Sequence, residues 1–307
     1  MKKILHIGLC VNPNGFSSFP HAFKQVLGEE NYREIQTASD SGFNQRCIEL
    51  FNEFNPDIVF MQIQSENIIN AQTCEYFLSH GAIVINWTGD KRQDVPLWMI
   101  QLAPFVSITS FSNMEDVRKM RALGFKSEYL EIGYDPEIYC PEGEAYDVPD
   151  IIFMGNNYGD SHFPMSKFRR EMVEFLQQEY GPRFGVYGSG WKNGNGNFNH
   201  SQHEEAKVYR GCKVAINCSH FDCEMYNSDR LLRIMGCGIP CISYDHLGMR
   251  NIYGDQCLYF RDLSQLKGCI DIVMHAYENT NMVRNNMFAL NTFTFVHQVQ
   301  NILKLAL

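Results

Sequence analysis

The feature that most constrains this chain is an alternation that runs, stops and starts again. Short apolar runs trade places with longer segments whose apolar residues recur at helical spacing. KKILHIGLCV, DIVFMQIQ, AIVINWT and FVSITSF read as buried strands, and FPHAFKQVLGEE, Phe43 to Phe54, AQTCEYFLSHG and MEDVRKMRALG read as helices. A strand that is apolar on successive residues is covered on both faces, so the alternation predicts parallel sheets with crossover helices. DPEIYCPEGEAYDVPD, rich in Pro, Gly and acids, has no period and reads as a linker. The pattern then resumes with the strand DIIFMGNN, the helix SKFRREMVEFLQQEYG with Ser166 as its N-cap, RFGVYG, HEEAKVYRG, KVAINCS, SDRLLRIMGCG, IPCISYD, QCLYF and two further helices, the last being TFTFVHQVQNILKLAL. The expected fold class is α/β, two Rossmann-like doubly wound domains over residues 1–146 and 147–307.

Length and composition agree. A chain of 307 residues suits two domains at roughly 100–200 residues each. Its 45% hydrophobic and 20% charged content fits ordinary buried cores. A formal net charge of −9 disfavours non-specific binding to phosphate backbones, so nucleic acid is an unlikely partner. Eleven Cys include no C-x-x-C, and several lie inside apolar runs. They read as buried free thiols of a reducing, cytoplasmic compartment. Met1-Lys2-Lys3 before ILHIGLC mimics a secretory signal, but the run is short and lacks a small-residue cleavage site; it reads as a first core strand. No apolar run reaches the roughly 18 residues of a membrane helix.

The richest stretch is 213–245, KVAINCSHFDCEMYNSDRLLRIMGCGIPCISYD. A buried strand delivers Asn217 and Ser219 to its C-terminal edge, where open α/β sheets bind ligands. A polar loop with Tyr226 follows, and Asn227 or Ser228 reads as the cap of a helix whose free N–H groups would form an anion site. Asp229 suits a helix start and would weakly oppose a phosphate. Arg230 and Arg233 lie one turn apart and are expected to reach a diphosphate. Gly236 and Gly238 allow the turn into the next strand.

Ser-x-Arg at a helix start, then a small-Cys-Gly-x-Pro turn into an apolar strand, resembles the donor-binding signature of GT-B glycosyltransferases of the "glycosyl transferases group 1" and CgeB-like kind. IIFMGNN, RREMVEFL and GVYGSGW resemble the start of the same family's C-terminal domain. The resemblance covers residues 150–305 well and the N-terminal half loosely. It departs where relatives carry a Glu toward the donor ribose, since Arg233 stands there, and Glu224 does not reproduce their Glu-x7-Glu spacing.

The resemblance implies two domains facing a cleft, a C-terminal helix packed back on the first, and transfer of a sugar from a nucleotide-diphosphate sugar, UDP-linked, to an acceptor hydroxyl on a glycan, protein or small molecule. It implies no cofactor. No D-x-D stands in a suitable loop, and cationic groups would replace a metal. Donor contacts are expected from Gly155, Asn156 and Asn157 with Tyr158, from one of Lys167, Arg169 and Arg170, from Gly188 and Ser189, and from Trp191 stacking on the base. In the N-terminal half NWTGDKR ends a strand, which makes Asp90 the candidate base for the acceptor proton, with His21 as the other choice. Asn14, Phe16, Gln62 and Gln64 are candidate acceptor contacts. The same residues also fit a non-catalytic nucleotide-sugar-binding module, a sugar-nucleotide epimerase, or transfer to a modified DNA base. A dehydrogenase or P-loop enzyme does not fit, since G-x-G-x-x-G and the P-loop are missing.

Overall fold

The computed structural model describes residues 2–10, 19–196, 201–280 and 284–307. By contact density the chain divides into two compact units, Met1–Gly133 with Phe295–Leu307, and Tyr134–Thr294.

In the first unit, strands β1 (Ile4–Gly8), β2 (Tyr32–Gln36), β3 (Ile58–Met61), β4 (Ile83–Thr88), β5 (Ile108–Phe111) and β6 (Ser127–Tyr129) alternate with helices α1 (Phe19–Leu27), α2 (Phe43–Phe54), α3 (Ala71–Ser79), α4 (Leu97–Leu102) and α5 (Met114–Ala122). They form one parallel sheet in the order β2-β1-β3-β4-β5-β6. Successive side chains of a strand point to opposite faces, so Ile4 joins the core under α1 while Leu5 and Ile7 join the core under α2 and α3. Strand β2 is not apparent from hydrophobicity. It is the sheet's edge, only Tyr32 is fully buried, and YREIQ is mostly polar.

The second unit repeats the plan with β7 (Ile151–Met154), α6 (Ser166–Tyr180), β8 (Phe184–Tyr187), α7 (Gln202–Gly211), β9 (Val214–Asn217), α8 (Arg230–Gly236), β10 (Cys241–Tyr244), α9 (Met249–Tyr253), β11 (Cys257–Phe260), α10 (Leu263–Asn279) and α11 (Met287–Leu290). Its sheet is parallel, in the order β11-β10-β9-β7-β8. Ile151 and Phe153 face one core and Ile152 and Met154 the other.

The unit boundaries differ from the expected 146/147 division. Residues 135–150 look like a linker by composition, yet Tyr134, Ile138 and Tyr139 are buried in the second unit's core. Arg210 fastens the rest, donating from Nε to the Glu144 carbonyl at 2.7 Å and from Nη1 to the Ile138 carbonyl at 3.1 Å. The last helix, α12 (Phe295–Leu305), belongs to the first unit, where Val299 and Ile302 pack with Phe19 and Phe23 of α1. Gly133 and Phe295 touch where the chain enters and leaves that unit, and a Cβ on Gly133 would lie 2.6 Å from the Phe295 ring.

Two expected caps are corrected. Met165, not Ser166, precedes α6, and the Ser166 hydroxyl accepts from the Phe163 N–H. Helix α8 begins at Arg230 and has seven residues, preceded by Asp229 with no side-chain cap.

Candidate functional site

The strand order puts a topological switch point between β7 and β9, where the chain leaves the sheet in opposite directions and a crevice opens at the strands' C-terminal ends. Arg230 spans it. Its Nε donates to the Met154 carbonyl at the end of β7, and its Nη1 donates to Asn217 Oδ1 and the Cys218 carbonyl, each at 3.2 Å. Arg169 comes in from α6 and is 2% exposed. Its Nη1 contacts the His220 ring, while its Nε and Nη2 are buried without a partner among the described residues. The Phe153 ring lies 5.2 Å from both guanidinium carbons.

The two cations meet at Gly155. A Cβ there would stand 2.6 Å from Arg169 Nη2 and 2.8 Å from Arg230 Nη2, so only glycine leaves room for both. Burial, followed by the charge of Arg230, pushes the Arg169 guanidinium down to about 9. Burial, with Arg169 next, pushes His220 down to about 3, which leaves a neutral ring able to accept from Arg169. Two like charges forced together, with buried donors unused, form an arrangement that an anion would relieve. Each unmet buried donor costs about 1–3 kcal/mol, and perturbed groups of this kind cluster at functional sites.

The surrounding residues hold this pair in place. Asn217 is fully buried, donating to Ser243 Oγ at 3.0 Å and accepting from Ser228 Oγ at 3.3 Å as well as from Arg230. Ser219 Oγ accepts from the Ser228 N–H at 2.9 Å. Asn227 donates to the Tyr253 hydroxyl at 2.7 Å, and Tyr226 is buried beside Phe221 and Cys223. These contacts join the end of β9 to the start of α8, where the Ser228 N–H is taken by Ser219 Oγ and the Leu231 N–H by the Ser228 carbonyl. Arg233, expected to reach the diphosphate, is held by acids. Its Nη1 pairs with Glu205 Oε2 at 2.8 Å and its Nη2 with Asp229, and Tyr139 donates to the same Glu205 oxygen at 3.1 Å. Two carboxylates neutralise Arg233, and Arg169 takes its place beside Arg230. Lys167 and Arg170 are surface residues paired with Glu171, and with Asp160 and Glu174.

The loops after β7 and β8 are laced together above the pair. Asn157 N donates to the Ser189 carbonyl at 2.9 Å, Ser189 N donates to Asn156 Oδ1 at 2.9 Å, and Gly155 N donates to the Tyr187 carbonyl at 2.7 Å. Gly188 has φ +129, and a Cβ there would meet the Gly155 carbonyl at 2.6 Å. Trp191, expected to stack on a base, donates its indole N–H to that carbonyl at 2.6 Å and packs edge-on to Phe153. It is a loop brace. His220 was not singled out by spacing; its position directly after Asn217 to Ser219 is the only signal it offered.

In the first unit the equivalent switch point lies between β1 and β3. His6 is buried, with Nε2 bonded to Gln62 Oε1 and Nδ1 to the Tyr32 hydroxyl, both at 2.8 Å. Gln64 accepts from Thr88 Oγ1 at 2.9 Å and its carbonyl accepts from Arg92 at 2.5 Å, while Thr88 Oγ1 also accepts from the Asp90 N–H at 3.2 Å. Lys91 turns inward to Asp116 at 2.8 Å. Asp90 is exposed two residues beyond the end of β4. His21 is exposed on α1. Asn14 and Phe16 lie outside the described residues.

A cavity of about 220 Å³ opens at the opposite, N-terminal edge of the second sheet, beside Pro240 and Gln256. Two of its polar lining residues are bonded to backbone, Arg284 to the Arg210 carbonyl and Asn286 to the Gly236 carbonyl at 3.1 Å. The chemistry therefore favours the arginine pair over this cavity. Among the described residues no group of three or more His, Cys, Asp or Glu stands together as a metal site, and no helix is long and apolar enough to cross a membrane. All eleven Cys are free.

Residues 169–304 match the family described as "Glycosyl transferase-like". No curated protein matches the chain. Among solved structures, a glycosyltransferase from Rickettsia africae aligns with TM-score 0.66 at 12% identity over 99% of this chain and 98% of its own. Anabaena HepE in complex with UDP-glucose aligns with TM-score 0.63 at 12% identity over 99% of both chains. Sucrose-phosphate synthase from Thermosynechococcus elongatus aligns with TM-score 0.62 at 10% identity over 99% and 98%. At such identities these likenesses establish the fold, the two Rossmann-like domains of the GT-B class.

Proposed function

We propose, from the premise that this is a GT-B enzyme of the glycosyltransferase kind, that it moves a sugar from a UDP-linked donor to an acceptor hydroxyl, with Arg169 and Arg230 holding the donor diphosphate. The observation that carries the reading is the convergence of two guanidinium groups on Gly155 at the β7–β9 switch point, one of them buried with unused donors. A diphosphate supplies the charge and the acceptor oxygens that this arrangement lacks. The names of similar structures point the same way, since Anabaena HepE was solved with UDP-glucose and an E. coli protein of the same fold with UDP-2-fluoro glucose.

In this reading the anomeric carbon–oxygen bond breaks as the acceptor hydroxyl attacks. Negative charge grows on the departing diphosphate, and two fixed cations in a partly dry site stabilise it more in the transition state than in the ground state. They take the part a metal ion plays elsewhere, so no metal is needed. Asp90 is the candidate base for the acceptor proton, with His21 as the alternative. The acceptor is a glycan, protein or small molecule.

Release of UDP from UDP-hexoses, followed in wild type and Arg230→Ala, tests the reading. Arg230→Ala is expected to weaken UDP binding by about 1.5–3 kcal/mol, the worth of a hydrogen bond to a charged group, and to slow UDP release. A folded Arg230→Ala protein with unchanged UDP affinity contradicts it. A wild type that binds UDP-hexoses but releases no UDP with any acceptor supports a binding module instead.

A further inference from the structure

We propose that His246, held by Asp222, determines donor specificity, its Nε2 accepting a hydrogen bond from a hydroxyl of the glycosyl group being transferred. The proposal rests on the reading that a nucleotide sugar occupies the β7–β9 switch point, and it concerns the neighbouring loops on the β10 side.

His246 lies two residues beyond β10 and is 1% exposed. Its Nδ1 meets Asp222 Oδ1 at 3.0 Å, and the other Asp222 oxygen accepts from Arg261 at 3.2 Å. His246 first, then Arg261, holds the Asp222 carboxyl below the usual carboxylate range, so the carboxylate is ionised and only accepts. The ring proton facing it therefore sits on Nδ1. In the tautomer that carries its proton on Nδ1, Nε2 keeps a lone pair, and that nitrogen is buried with no hydrogen-bond partner among the described residues. An unmet acceptor in the interior is unfavourable, and its retention at a ligand-binding sheet edge calls for a donor from outside the protein.

The two loops that carry this pair are locked to one another. Met225 N donates to the Leu247 carbonyl at 2.7 Å. Gly248 has φ +80, and a Cβ there would press on Met225 Cγ at 2.7 Å. Met225 itself is left-handed at φ 54, a conformation that a non-glycine residue adopts at a cost and that collects at functional sites. The loops are thus held in one geometry around a single unused acceptor. Leu247, next in the chain, is 63% exposed.

The chemistry selects the ligand group. An ionised diphosphate has no proton to donate. A nucleotide sugar extends from both sides of its diphosphate and carries donor hydroxyls on the ribose and on the glycosyl group. Comparison of UDP with UDP-hexoses separates the two, and the hydroxyls assigned to His246 are those of the glycosyl group. His246 would then read the presence and orientation of one of them. Asp222 acts through His246 and is a positioning residue.

Calorimetry with UDP, UDP-glucose, UDP-galactose and UDP-N-acetylglucosamine tests this. Wild type is expected to bind UDP and to bind at least one UDP-hexose more tightly. His246→Asn keeps a donor for Asp222 and removes the Nε2 acceptor. It should cut the hexose's advantage over UDP by about tenfold and leave UDP affinity unchanged. His246→Gln puts an amide oxygen near the Nε2 position and should restore most of the advantage. Asp222→Asn should give a smaller loss in the same sense, and it serves if His246→Asn does not fold. A hexose advantage untouched by these variants, equal losses for UDP and UDP-hexose, or no hexose advantage in wild type overturns the proposal. Failure of wild type to bind UDP overturns the diphosphate reading itself, a separate outcome.

Discussion

Gly155→Ala is the sharpest perturbation of the arginine pair, because it adds one methyl group and removes no functional group. Gly155 does not have a positive φ, so alanine fits its backbone. The backbone is held by Gly155 N to the Tyr187 carbonyl at 2.7 Å and by Trp191 to the Gly155 carbonyl at 2.6 Å, so the new Cβ stays where it is built. At 2.6 Å and 2.8 Å from two guanidinium nitrogens, it leaves movement of those side chains as the cheaper response. Displacing one guanidinium from a diphosphate oxygen loses about 1.5–3 kcal/mol, a rise of roughly 10- to 150-fold in the dissociation constant for UDP. The fold should survive with an overpacking cost of about 1–3 kcal/mol. Calorimetric titration with UDP reads the affinity, and thermal unfolding reads the stability. A folded Gly155→Ala protein that binds UDP as wild type does would refute the argument that these two cations hold the diphosphate.

Asp90→Asn keeps the side-chain shape and should lower turnover by about 10²–10⁴, the worth of a general base, with donor affinity unchanged; unchanged turnover would move the base to His21. Transfer should persist in excess chelator, because Arg169 and Arg230 carry the charge; loss of activity restored by magnesium or manganese contradicts that assignment. His6, pushed by burial from 6.5 down to about 4, binds its proton less readily folded than unfolded. Its contribution is therefore complete above pH 6.5 and is lost as pH falls toward 4, about 3 kcal/mol in all. Denaturant midpoints measured across that window should fall more steeply in wild type than in His6→Gln, and parallel curves would show that His6 does not titrate there.

Much of the fold is legible in the sequence because buried parallel strands announce themselves as unbroken apolar runs. Strand β2 is not, since an edge strand carries one covered face and a polar sequence. Residues 135–150 misled for the opposite reason. Proline and acidic residues look like a linker, while Tyr134, Ile138 and Tyr139 supply the buried contacts and Arg210, some seventy positions on, caps the carbonyls. The site divides the same way. That Arg230 and the Gly155 loop come together at the ends of β7 and β9 follows from strand ends and glycine placement. Arg233 has the same helical spacing, but its partner Glu205 lies on another helix, and no local pattern encodes that pairing. Trp191, Gln62 and the His246–Asp222 pair are likewise settled by contacts between strands and loops remote in the chain.

The most direct test of the central claim is a crystal structure of the protein grown with UDP. The account predicts the diphosphate at the C-terminal ends of β7 and β9, beside Gly155, with Arg169 and Arg230 each donating to a phosphate oxygen. UDP bound elsewhere on the chain, with the two guanidinium groups still facing each other and no phosphate between them, would contradict it.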